Sequence, residues 1–183
     1  MSNPLGSLLV STDDLDSRKK FEALPLTLHL TFPGHHLATT FVRNSDFPEF
    51  LVFGNAISFW QLPGSPPTFE VHREGWASYA ESLGHDLDLF KEDPVSVFGL
   101  YSMKMTRAAR AVVDVGLNFY GWSRQKSLNF LMNNTALTLA VCEQEVDRYL
   151  TLPGMSFWAF LPLFFMIYFV LSNNLTNRIN RAF

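Results

Sequence analysis

Apolar and polar residues follow one another along most of this chain with the period of a helix rather than of a strand. The sequence becomes apolar at Leu26, meets Pro33-Gly34, and continues helically to about Arg43. Residues 44–50 carry Asn, Ser, Asp and Pro and predict a break. A second apolar stretch, Phe50 to Leu62, ends in the loop Pro63-Gly64-Ser65-Pro66-Pro67. Glu74 to Leu83 reads as a helix closed by Gly84 in the C′ position. Leu100–Val115, Ser123–Leu131 and Thr138–Leu150 show helical spacing too, and the last sets Val141, Val146 and Tyr149 apart from its acidic residues. No alternating pattern of any length occurs, so the predicted fold class is all-α, an irregular helical domain over residues 25–154. Residues 1–24, polar and mixed, predict a loop or extended lead-in.

The last stretch differs in kind. Met155 to Leu171 has no charged residue, and 17–18 apolar positions are just enough to span a hydrocarbon core of about 30 Å. Trp158 and Tyr168 lie towards its ends, as interfacial aromatics do, and Pro162 is tolerated in such spans. A core helix of a small domain would keep a polar stripe. The expectation is therefore a single transmembrane helix over 155–172 followed by a polar tail, 173–183. Arg178 and Arg181 beyond the span favour a cytoplasmic C-terminus.

Composition sharpens rather than changes this picture. Hydrophobic residues make up 48% and aromatics 15%, with 18 Phe, yet mean hydropathy is only +0.08, so the apolarity is local. A net charge of −3 offers no basic face to nucleic acid. Cys142 stands alone, which excludes an intrachain disulfide, and its acidic neighbours argue against a nucleophilic thiol. The N-terminus has no basic region ahead of its short apolar run Leu8-Leu9-Val10 and does not read as a signal peptide.

Candidate chemistry gathers around three histidines. His29, His35 and His36 fall within eight residues, and Glu74 opens a later helix. A zinc site of the hydrolytic kind takes neutral imidazoles and a carboxylate as ligands, leaves a position for water, and places a general base beside it. Spacings of six and seven do not chelate on an ideal helix: i+6 is turned by about 240°, and i+7 lies about 10.5 Å along the axis. A proline inside the run distorts it, and Pro33-Gly34 would be what brings His35 round to His29. The alternative is a loop-flanked helix carrying solvated histidines.

His29-Leu-Thr-Phe-Pro-Gly-His-His-Leu37 resembles the HExxPGHH signature of the family called "domain of unknown function 885", a group of zinc-metallopeptidase-like proteins. Three further blocks follow in order. Glu74-Gly-Trp-Ala-Ser-Tyr-Ala-Glu-Ser-Leu-Gly84 is similar to EGWAxYAExLG. Val113-Asp-Val-Gly-Leu-Asn118 with Gly121-Trp-Ser123 is similar to VDxGxHxxGWS. Glu145-Val-Asp-Arg-Tyr149 with Pro153-Gly154 is similar to EVxRYxxxPGQ. The resemblance implies a C-terminal portion of a longer helical domain. It implies zinc as cofactor, held by His29, by His35 or His36, and by Glu74, with Glu81 as a supporting partner or an exposed residue. It also implies a peptide-like ligand.

The same comparison predicts impaired catalysis. Leu30 stands where the family has its general-base glutamate, and Asn118 stands where it has a histidine. Leucine exchanges no proton, and asparagine offers only hydrogen bonds. The chain thus reads as a metallopeptidase-like hydrolase without its catalyst. The alternatives are a non-enzymatic membrane-attached binding protein, or a truncated or misassembled gene product.

Overall fold

The computed structural model describes residues 19–46 and 68–156, together with Leu8; for residues 68–72 it describes the backbone alone. A 3-10 turn at Lys20–Glu22 leads into α1 (Ala23–Leu30), then α2 (His35–Arg43), α3 (Thr68–Asp86), α4 (Pro94–Asn118), α5 (Arg124–Asn134) and α6 (Leu139–Thr151). No strand occurs among the described residues, in agreement with the all-α expectation. The apolar stretch Phe50–Leu62 and the expected span 155–172, from residue 157 onward, lie outside them. Among the described residues no helix is long and apolar enough to cross a membrane.

Helix α4 is the spine. Pro94 sits in its first turn, where a missing backbone N–H costs nothing. One end of its inner face packs Leu100 with Leu28 of α1 and with Phe90, flanked by Leu24 and Val97. The other end packs Ala109, Val113 and Leu117 with Leu128 and Leu131 of α5 and with Cys142, Val146 and Tyr149 of α6. The two short helices of that end are capped in sequence. Ser123 accepts from Lys126 N at 3.2 Å and Thr138 from Val141 N at 3.4 Å. The outer face of α4 also carries apolar side chains, with Phe98, Tyr101, Met105 and Val112 all exposed.

Helix α3 departs from its expected ending. It runs two residues past Gly84, which lies inside it and not at its cap. A Cβ at Gly84 would stand 2.5 Å from the Phe90 ring and 2.8 Å from Leu28. The glycine makes room for packing and does not terminate the helix. Ala77, Ser78 and Ala80 are fully buried on the same helix, and such small side chains let α1 approach closely.

Candidate metal centre

The site is built where α1 ends and α2 begins. Helix α1 closes at Leu30, residues 31–34 turn, and α2 starts at His35. The Pro-Gly pair therefore separates two helices rather than distorting one. A Cβ on Gly34 would lie 2.0 Å from the His29 carbonyl oxygen, so only glycine fits this turn. Trp76 of α3 donates from its indole nitrogen to the Pro33 carbonyl at 2.8 Å, which fastens the turn to α3. The outcome is that the rings of His29 and His35 meet edge to face, their centroids 4.7 Å apart.

Glu74 faces both rings. Its Oε1 lies 3.2 Å from His35 Nε2 and its Oε2 lies 3.5 Å from His29 Nε2. One ligand atom from each of His29, His35 and Glu74 falls within 4.8 Å of the others. Three ligands at the corners of a tetrahedral zinc site, with bonds near 2.1 Å, stand about 3.4 Å apart. Two imidazole nitrogens and a carboxylate oxygen within 4.8 Å of one another are the kinds of donor such an ion takes, and they would have to draw together to hold it.

Behind His29 sits Glu81, two turns along α3 from Glu74 and fully buried. Its Oε1 lies 2.7 Å from His29 Nδ1, and the other ring nitrogen, Nε2, faces Glu74. Arg107 of α4, itself 8% exposed, clasps Glu81 with both guanidinium ends: Nη1 donates to Oε2 at 2.9 Å and Nη2 to Oε1. Burial disfavours ionisation of Glu74, but the His29 and His35 hydrogen bonds outweigh it and hold the carboxyl well below the usual carboxylate range. Burial likewise opposes the charge on His29, and the Glu74 and Glu81 contacts overcome that and raise its pKa.

The remaining expected residues fall in different places. Leu30, the residue after His29, lines the same cleft as His29 and Glu74. His36 is exposed on the first turn of α2 and is not one of the three clustered ligands. Asn118 stands 11 residues beyond Arg107 on α4, about 16 Å along the axis. There its Nδ2 donates to Asp114 Oδ1 at 2.8 Å and to the Tyr149 carbonyl at 3.1 Å. The buried Asp114 also accepts from Gly154 N at 2.9 Å and Ser156 N at 2.8 Å. Asn118 and Asp114 together tie down the chain after α6.

That chain forms a wall of the cleft, a cavity of about 890 Å³ reaching from His29 and Glu74 past Arg107 and Arg110 to Arg148 and Pro153. The far part holds a second cluster, in which Glu145, Arg148 and Tyr149 come from one of the motif blocks and Arg110 is the member that the sequence analysis did not pick out. Glu145 of α6 accepts from Arg110 at 3.0 Å, from Arg148 at 2.5 Å, and from the Tyr149 hydroxyl. Tyr149 is fully buried, and burial together with Glu145 pushes its phenol up to about 12. A sequence signal did exist: Arg107 and Arg110 interrupt the apolar pattern of α4 at i, i+3, on one face of the helix.

Comparison with known proteins bears on this arrangement in three ways. The profile of the family described as "Bacterial protein of unknown function (DUF885)" matches residues 3–157. Among solved structures, "The crystal structure of the putative lipoprotein from Colwellia psychrerythraea" is similar at a TM-score of 0.79 and 23% identity, over 95% of this chain. This chain spans only 27% of the length of that protein. No curated protein matches.

Proposed function

The chain belongs to the DUF885 family, and from that premise we propose that it is a metallopeptidase-like protein which holds a divalent cation, zinc in the first place, on His29, His35 and Glu74, and has little or no hydrolytic activity of its own. The observation that carries the reading is the ordered relay Arg107–Glu81–His29, with one imidazole nitrogen held by Glu81 and the other aimed at the Glu74 carboxylate. Buried carboxylates orient metal-binding histidines in this way.

A bound zinc would supply Lewis acidity to a carbonyl and a lowered pKa to water. This chain's residues do the rest. Glu81 fixes the tautomer of His29, Glu74 bridges the two rings, and Gly34 and Trp76 hold the turn that brings His35 in. Leu30 lines the cleft with an alkyl group and takes no proton, which supports loss of general-base chemistry. The test is hydrolysis of a peptide library by the zinc-loaded chain, with Glu74→Ala as control. The reading expects no activity above control, and about 10²-fold or more recovery in Leu30→Glu. Activity of the unaltered chain above the control overturns it.

Membrane attachment through 155–172 is part of the same proposal. It is supported by the uncharged run from Met155, and the description of the similar solved protein as a lipoprotein agrees in kind. Partition of the full chain into detergent extracts rather than carbonate washes tests it; release by carbonate contradicts it.

A further inference from the structure

Helix α4 is covered on one side and bare on another. Phe98, Tyr101, Met105, Ala108, Val112 and Val115 recur at alternating steps of three and four, the heptad spacing that keeps one seam in line along a helix. Ala108 is half-buried, and the other five side chains are between 36% and 58% exposed. Phe119, at the C-cap, is the next step of the series and is exposed as well. The seam itself carries no charge. Lys104 borders it, lying over the Tyr101 ring at 5.7 Å and donating to Ser82 Oγ at 2.9 Å. Single exposed apolar residues are ordinary on a protein surface. An apolar row about 25 Å long, on a helix whose other side is already core, has the form of an interface.

We propose that this seam docks a second copy of the chain, the two α4 helices packing antiparallel about a two-fold axis midway between Met105 and Ala108. The order of side-chain sizes selects both the partner and the direction. Large residues, Phe98, Tyr101 and Met105, fill the first half of the seam, and small ones, Ala108, Val112 and Val115, fill the second. An antiparallel pair sets Phe98 against Val115, Tyr101 against Val112 and Met105 against Ala108 of the other copy, large against small at every level. Parallel packing would set like against like, crowding the first half and leaving gaps in the second. Charge agrees with the antiparallel pair. The uncharged seam brings no like charges together, and the positive N-terminal end of each helix dipole comes beside the negative C-terminal end of the other. Area agrees too. With about 200 Å² for a fully exposed aromatic side chain, the seam leaves on the order of 450 Å² bare per copy and ~900 Å² between two. Phe119 and the margins add to this, which brings the contact to the ~1,000 Å² at which specific, weak interfaces begin.

The experiment is sedimentation velocity of the full chain in density-matched detergent, from about 1 to 200 µM, with a dimer dissociation constant expected at about 1–100 µM. Val112→Glu should weaken the dimer about 100-fold or more, because each dimer would then bury two unpaired carboxylates. Adding Tyr101→Lys to that variant should recover about tenfold or more, since only the antiparallel pair brings the new ammonium to the carboxylate of the other copy. Met105→Glu, which meets Ala108, should weaken the dimer as Val112→Glu does. Met132→Glu, at an exposed position of α5 away from the seam, should leave it unchanged. Circular dichroism of each variant separates lost association from lost folding. A monomer throughout this range overturns the proposal. So does a dimer that survives Val112→Glu and Met105→Glu, which would point to the uncharged run after Met155 instead. A double variant no better than Val112→Glu alone overturns the antiparallel pair.

Discussion

At either end of one cleft a buried glutamate is gripped by arginine, yet the two grips are built for different ends. Glu81 is fully enclosed, meets a single guanidinium, and spends its remaining capacity on the Nδ1 of His29. Glu145 is 8% exposed, meets two guanidiniums, and takes its third hydrogen bond from a tyrosine. The first arrangement aims an imidazole; the second ties two arginines and a tyrosine to one carboxylate and orients no histidine. The contrast shows how a helical scaffold can use the same two residue types to orient a histidine in one place and to brace α4 against α6 in another. The means are the ratio of guanidinium to carboxylate and the depth at which each is placed.

The sharpest way to break the comparison is to remove the deeper carboxylate. Glu81→Ala leaves Arg107 buried without a counter-charge and should cost about 3–5 kcal/mol in denaturant unfolding. Glu145→Ala exposes its two arginines to some solvent and should cost less, about 1–3 kcal/mol. Equal losses would mean that depth does not separate the clusters. Gly34→Ala acts on the histidine end alone, since the new methyl would meet backbone at 2.0 Å. It should cost about 1–3 kcal/mol and move His35 away from His29, which the imidazole NMR shifts would report.

A smaller effect sharpens the other end. Tyr149→Phe removes one hydrogen bond to Glu145 and should cost about 1 kcal/mol near neutral pH. In ultraviolet titration of the intact protein one phenol should ionise near 12, not near 10, and this late component should vanish in the variant. The sign follows from linkage. The folded state holds the Tyr149 proton more tightly than the unfolded state does, so its contribution is complete below about pH 10 and is lost as pH rises towards 12. Arg124→Ala, in an exposed pair with Asp147, should change stability least of all.

The two ends were also unequally legible in the sequence. His29, His35 and Glu74 stood out because a Pro-Gly pair between histidines is a local feature, and the motif blocks ordered them. The helical class was legible from periodicity, although Gly84 was misplaced, because a glycine needed for the Phe90 ring looks the same in sequence as one that ends a helix. Arg107 stayed hidden, since an arginine in mid-helix reads as solvated until α1 and α3 cover it. Asn118 shows the opposite error. Its motif position linked it to the catalytic chemistry, whereas the length of α4 carries it to Asp114 and the chain after Gly154. What depended on two helices meeting was out of reach of a one-dimensional pattern.

The central claim is that His29, His35 and Glu74 form one cation site, and zinc stoichiometry tests it most directly. The full chain is purified, dialysed against metal-free buffer after loading, and analysed for metal beside His35→Ala. The account predicts close to one zinc per chain, lost in the variant while helical content is kept. A folded chain that retains no zinc, or a variant that retains as much as its parent, would contradict it.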